Sequence, residues 1–211
     1  MNKKQRALRI VDRLESVYPE AQCALRYEGE PWKLLVMGRL SAQCTDLRVN
    51  EVCRTLFSAF PSPRDLADGD VAAIENIVRP CGLYRVKARD IKEECRILCD
   101  DFGGVLPDSM DTLLTFPGVG RKIANLLLGD IYGLPAVVAD THCIRLSRRM
   151  GLTAPDESDP VRTEKALRAL IPPEKSNDFC HRLVMFGREF CPARSPDCSS
   201  CPLSDLCAKN L

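Results

Sequence analysis

Histidine is scarce in this chain of 211 residues: there are two. That argues against a histidine-rich catalytic metal site. A surplus of one charge is missing too. Thirty Lys and Arg against 29 Asp and Glu leave a formal charge of +1, so total charge gives no support to a nucleic-acid partner. No run of 18 apolar residues occurs, which predicts no transmembrane helix. The opening MNKKQRALRIVDRLESV lacks the apolar core of a signal peptide, so a reducing, cytoplasmic setting is expected, near the nucleoid if DNA is the partner. No Ser/Gly-rich linker, repeat or sustained period-two alternation appears.

What the chain does have is helical spacing and cysteine. Apolar residues recur at intervals of three and four along its length, predicting an all-α protein. PWKLLVMGRL reads as a central buried helix, broken in its apolar surface by Lys33 and Arg39. Thr45 or Asp46 can cap the next helix, with Val49, Val52, Cys53 and Leu56 on one face and Pro61 at its end. Further helices are expected at 70–79, from Tyr84 through Leu98 to Gly103-Gly104, and at 110–116, 121–132, 141–150, 160–171 and 177–189. With 45% hydrophobic residues, such a chain can bury a real core.

Twelve cysteines are present, below the ~8–10% that marks disulfide scaffolds. Eight are scattered, several where an apolar helix face needs a small hydrophobe, and are expected to pack as thiols. The other four, Cys191, Cys198, Cys201 and Cys207, have the spacing C-x6-C-x2-C-x5-C. Four thiolates this close can converge on one centre, zinc or an iron–sulfur cluster. Zinc sites of four cysteines usually pair two short knuckles, whereas one Cys-x-x-Cys occurs here; compact runs with uneven gaps suit [4Fe–4S]. Such a shell has no open position, which implies a structural or redox role.

TLLTFPGVGRKIANLLLGDIYG sets two helical patterns around a turn of four residues. Gly118 and Gly120 give the backbone freedom and let another backbone approach. The amides of Val119, Gly120 and Arg121 open a helix N-terminus, a place that binds phosphate without regard to sequence; a plain packing corner is the competing reading. Lys122 sits in the first turn of that second helix, where the dipole disfavours an ammonium. With partial desolvation as well, its amine would become nucleophilic and suited to Schiff-base chemistry; a solvated surface lysine is the competing reading, and the commoner one by position alone. In PAVVADTHCIR, Asp140 starts a helix. It is a good N-cap, and a carboxylate so fixed can take a proton or stabilise a developing cation.

Taken together, LSAQCTD, GLYRVKA, FPGVGRKIAN, VVADTHCIR and the four-cysteine tail resemble the endonuclease III family of DNA glycosylase/AP lyases, over about residues 5–207. The resemblance implies two all-α lobes with DNA bound in the cleft between them. One is a six-helix barrel, 24–134, with a helix-hairpin-helix at about 110–129; the other joins 1–23 to 135–211 and holds a [4Fe–4S] cluster. It implies Lys122 as nucleophile and Asp140 as catalytic carboxylate. Gln43 and Leu83 would fill the duplex after a base is flipped out, and His142 would lie near a DNA-contacting helix start. The partner would be double-stranded DNA with a damaged base, an oxidised pyrimidine in the first instance, or an abasic site, met by a monomer. Two positions depart from the family pattern: Cys44, commonly Ala, and Arg39, commonly apolar, near where adenine-mismatch relatives carry a catalytic Glu. Facing the pocket, Arg39 would read a base or phosphate; facing away, it would snorkel or form a salt bridge. A mismatch-specific glycosylase, a non-catalytic iron–sulfur DNA-binding paralogue and a zinc-stabilised DNA-binding module are the competing functions. Cations are concentrated locally, at Arg79, Arg85, Lys87, Arg89 and Lys92 and again at Arg145, Arg148 and Arg149, which predicts a modest electrostatic footprint.

Overall fold

The computed structural model describes residues 1–211. Helices and turns make up the chain, with no strand. In order they are α1 (Lys3–Val17), α2 (Pro31–Leu40), α3 (Asp46–Ala59), α4 (Pro63–Asp68), α5 (Val71–Val78), α6 (Tyr84–Asp100), α7 (Met110–Leu113), α8 (Arg121–Tyr132), α9 (Thr141–Arg149), α10 (Pro160–Arg168) and α11 (Ser176–Glu189), with short 3-10 turns at Arg79–Cys81 and Pro173–Lys175. The chain divides into two compact units, one of Ala24–Tyr132 and one of Met1–Cys23 with Gly133–Leu211. No helix is long and apolar enough to cross a membrane.

In the unit Ala24–Tyr132, α6 is the hub, packed by α2, α4 and α5. Helix α2 buries everything except Pro31 and Arg39. Its one surplus cation near the start, Lys33, is neutralised by Glu28 at 2.7 Å and Glu30 at 2.8 Å. Gly38 lets α8 come close: a β-carbon there would stand 3.0 Å from Ile123 Cγ2. Helix α3 is capped by Thr45, whose side chain accepts from the Arg48 amide. Helix α4 was not expected from periodicity. Six residues hold too few apolar positions, and its start is written instead in Ser62-Pro63 and the reciprocal hydrogen bonds of Ser62 with Asp65.

Two charged residues lie inside α6. Lys87 and Glu94 are both fully buried, because each falls on the face that Ile91 and Leu98 define. Neither carboxylate oxygen of Glu94 has a hydrogen-bond partner. Burial pushes its carboxyl well above the usual range, opposed by Arg39 and reinforced by Asp90. A raised folded-state pKa means that the folded chain holds the proton more tightly. The associated stability is therefore complete below the unfolded carboxylate value of about 4.3 and declines as pH rises above it. Glu94→Leu removes this cost. Urea unfolding is expected to show a gain of about 1–3 kcal/mol at neutral pH, narrowing as pH falls toward 4; an unchanged midpoint would contradict the account.

In the second unit, α11 packs on α1 and α9, and α10 on α9. Arg182, nearly buried, donates to the Tyr18 carbonyl at 3.1 Å, and the Tyr18 hydroxyl donates to Glu189 at 2.8 Å. These bonds tie the end of α1 to α11.

Candidate functional site

The turn between α7 and α8 is built on Pro117-Gly118. The Val119 amide donates to the Phe116 carbonyl at 3.1 Å, and Gly118 has φ +74°, the pattern of a type II turn with Pro second and Gly third. Of the three amides expected to meet a phosphate, that of Val119 is thus already engaged, and its side chain is buried. The two glycines differ in kind. A β-carbon on Gly118 would collide with Nε and Cδ of Arg39 and stand 2.9 Å from Asp90 Oδ2. One on Gly120 would meet nothing within 4 Å, and Gly120 does not have positive φ. Neither conformation nor internal packing requires glycine at 120, which leaves room for an external group.

This contrast gives a paired expectation. Gly118→Ala should lose about 1–3 kcal/mol of stability, from a left-handed backbone and a clash on an ion pair. Gly120→Ala should cost no more than about 1 kcal/mol and yet weaken duplex binding severalfold. Thermal melting beside a fluorescence-anisotropy titration separates the two. Equal binding by Gly120→Ala and wild type would count against phosphate contact there.

Arg39 lies beneath this turn. Its Nε donates to Asp90 Oδ2 at 2.6 Å, and both side chains are largely buried, at 12% and 19% exposure. The arginine therefore neither snorkels nor has its Nε available to read a base: it is the platform on which Gly118 rests. Lys122 is exposed in the first turn of α8. The helix-start position expected of it is present, while burial by the chain itself is not. Gln43 and Leu83 are exposed residues with positive φ, 55° and 48°.

In the other unit, Asp140 caps α9, its Oδ1 accepting from the Cys143 amide at 2.7 Å. The carboxylate is half-buried and fixed by one oxygen. His142 follows, with Nδ1 3.2 Å from Arg145 Nη2. A guanidinium can only donate, so Nδ1 accepts and a neutral ring carries its proton on Nε2. Gly187 of α11 admits this ring, since a β-carbon there would stand 2.5 Å from Nδ1.

The cation patches shrink on inspection. Arg79, Arg85 and Arg89 are exposed, the first two stacked on Tyr84 at 5.1 and 5.6 Å. Lys87 and Lys92 instead turn inward to backbone carbonyls: Lys92 to Ala67 and Gly69 at the end of α4, Lys87 to three carbonyls described below. Arg149 donates to the carbonyls of Pro192 and Ala193, each at 2.8 Å, and to Cys191 Sγ at 3.2 Å. Arg145 reaches the Cys191 carbonyl at 3.1 Å. These arginines of α9 hold the cysteine segment, not an external anion. Composition counted them correctly; their orientation could not be read from it.

Cys191, Cys198, Cys201 and Cys207 line one cavity, closed by Met150, Phe186, Phe190 and Leu203. No disulfide joins any of the twelve cysteines. The Lys209 amide donates to Cys207 Sγ at 3.3 Å, and the Leu203 amide to Cys201. No three His, Cys, Asp or Glu side chains are grouped so as to hold one ion. Of the other eight, Cys53, Cys81, Cys95, Cys143 and Cys180 are buried, and burial raises the thiol pKa of Cys53 and Cys95.

Residues 36–173 match the family described as HhH-GPD superfamily base excision DNA repair protein. Endonuclease III of Synechocystis sp. is 44% identical over 98% of this chain and 93% of its own length. Two solved structures, a non-covalent Endonuclease III–DNA complex and a trapped Endonuclease III–DNA covalent intermediate, are each 40% identical with a TM-score of 0.92. Both cover 100% of this chain, and 97% and 98% of theirs. The chain belongs to the endonuclease III family of the HhH-GPD superfamily of base excision DNA repair proteins.

Proposed function

We propose that the base-excision DNA glycosylase/AP lyase activity this chain carries as an endonuclease III is performed by Lys122 as nucleophile with Asp140 as its carboxylate, on oxidised pyrimidines in double-stranded DNA. The observation that carries the reading is Lys122 itself: an exposed amine at the start of α8, two residues after a glycine whose missing side chain nothing in the protein explains. A relative 40% identical to this chain is trapped covalently on DNA, as a nucleophilic mechanism requires.

The target sugar carbon cannot be reached in a stacked duplex, so the nucleotide must first be turned out. Gln43 and Leu83 would occupy the space it leaves. Gly120 and Arg121 would hold phosphate at the helix start, and His142 would lie beside the DNA backbone at the start of α9. The Lys122 amine attacks C1′ as the N-glycosidic bond breaks and the base leaves with its electron pair. Ring opening yields an imine between Nζ and C1′. Removal of a proton from C2′ then expels the 3′ phosphate by β-elimination, and water releases the enzyme. Asp140, held by the Cys143 amide, assists by taking the proton of the attacking amine or by stabilising the cationic sugar.

The cysteine cavity belongs to a different task. Four cysteines lining one cavity, with backbone amides and the Arg149 guanidinium aimed at their sulfurs and with uneven gaps and a single Cys-x-x-Cys in the sequence, fit a [4Fe–4S] cluster. With every position filled by protein, the group would supply cross-linking of the C-terminal segment. We assign the barrel role to 24–134 and the cluster role to 1–23 with 135–211. The non-catalytic reading is not favoured.

A duplex with a single thymine glycol tests the proposal. The expected result is release of the oxidised base together with a strand break bearing the β-elimination product on its 3′ side. Base release with no strand break would remove the lyase half, and inactivity on oxidised pyrimidines alongside cleavage of a preformed abasic site would remove the substrate assignment.

A further inference from the structure

Lys87 has no exposed surface, and its ammonium donates to three backbone carbonyls: Leu40 at 2.9 Å, Ala42 at 2.7 Å and Cys81 at 2.8 Å. An ammonium has three donors, so all are committed. Burial holds its pKa below the ordinary lysine value, with the Cys81 and Cys44 thiols acting against that shift.

The three carbonyls belong to two separate loops. Leu40 ends α2, and Ala42 immediately precedes Gln43. Cys81 precedes Gly82 and Leu83, just before α6. Gln43 and Leu83 are two of the four non-glycine residues with positive φ in the chain. Such a backbone costs an L-residue roughly 1–3 kcal/mol and persists only where the surroundings impose it. The thiols of Cys44 and Cys81 also hydrogen-bond to each other across the same two loops. A lysine capping the end of a helix is common, and Lys92 does that at α4. Capping accounts for Leu40 and Ala42 but not for the third bond to another loop, nor for the strained, exposed residue that follows each attachment.

We propose that Lys87 is a positioning residue that locks the Gln43 and Leu83 loops to one another, holding both side chains ready to enter the duplex as a nucleotide is extruded. This rests on the reading of Gln43 and Leu83 as the residues that fill the vacated space. The cation contributes through the backbone it holds and touches no DNA.

The test is single-turnover excision of thymine glycol together with stopped-flow fluorescence of 2-aminopurine placed beside the lesion. Gln43→Ala, Leu83→Ala, Lys87→Met, Lys92→Met and the double variant Lys87→Met/Leu83→Ala are compared. Lys87→Met is expected to slow extrusion and excision at least tenfold. Leu83→Ala added to it should cost far less than Leu83→Ala alone, since the side chain has already lost its placement. Lys92→Met, which loses the same kind of lysine–carbonyl bonds elsewhere, should melt earlier yet extrude within twofold of wild type. Extrusion by Lys87→Met within twofold of wild type, or full additivity with Leu83→Ala, would overturn the clamp. If Gln43→Ala and Leu83→Ala themselves extrude normally, the wedge reading has failed and the clamp falls with it. Wild-type protein labelled with 15N at lysine Nζ gives an answer even if Lys87→Met does not fold. The Lys87 ammonium should exchange slowly enough to be observed at neutral pH and should persist in complex with a duplex bearing a tetrahydrofuran abasic analogue; its loss on binding would show that the loops separate and sink the proposal.

Discussion

Lys122→Gln is expected to form no borohydride-trapped adduct with a duplex bearing an abasic site or thymine glycol, while still binding that duplex. The substitution keeps a polar side chain of similar length in the first turn of α8 and removes only the amine. Lys122 is exposed, so the melting temperature should stay close to that of wild type. Loss of one cation near phosphate should weaken binding by a small factor and lower the salt slope by about one. The rate of strand cleavage, by contrast, should fall on the order of 10^3-fold or more, the scale seen when a covalent nucleophile is removed. An adduct retained by Lys122→Gln would move the nucleophile to another amine. Asp140→Asn completes the pair. Asparagine caps a helix as well as aspartate does, so the bond from the Cys143 amide to Oδ1 survives and only the charge is lost. Slower excision with an unchanged melting temperature would assign the carboxylate to chemistry; an equal fall in both would leave it a cap.

Periodicity read the helices well where they are long and one-sided, as in α2, whose bounds Pro31–Leu40 coincide with the apolar segment that suggests it. It missed α4, where six residues offer no period and the start is recorded in a capping box. Within α6, charge counting takes Lys87 for part of a DNA footprint and passes over Glu94, although the structure buries both. Burial alone could reverse that, because a lysine satisfied by carbonyls needs no acidic partner that a sequence would display. The arginines of α9 are a similar case: Arg149 is spent on the carbonyls of Pro192 and Ala193, some 40 residues away, and no local pattern foretells a contact of that range. The motif PGVG left its two glycines indistinguishable. The structure separates them, one constrained by Arg39 and Asp90 beneath it, the other open. Arg39 itself was visible as an anomaly, but its Asp90 partner lies 51 positions on, in a helix whose apposition is a tertiary fact.

The second large effect is expected at Cys201. Residues 191–211 contain no helix, so this segment draws little order from local hydrogen bonds. What holds it is the set of contacts from Arg149, the bond from Arg13 to the Pro202 carbonyl at 2.6 Å, and Leu203 and Leu206 buried beneath it. If the four sulfurs carry a cluster, its binding energy is also folding energy for this segment, as it is for structural thiolate sites generally. Cys201→Ser is then expected to cost about 3–5 kcal/mol, near the loss from a broken native cross-link, and to lower the melting temperature by roughly 10 °C at this chain length. Anaerobically purified wild type should show broad visible absorption that the variant lacks. Limited proteolysis should cut the variant first within 191–207, leaving Ala24–Tyr132 resistant. Cys53→Ala supplies the contrast: its thiol is buried in α3 and its loss is a packing defect of about 1–2 kcal/mol, with colour retained. A colourless wild type containing one equivalent of zinc would replace the cluster with an ion. A colourless, metal-free wild type whose stability is unmoved by Cys201→Ser would leave the four thiols with no ligand to explain them, and Arg149 as the bond that closes this end of the chain.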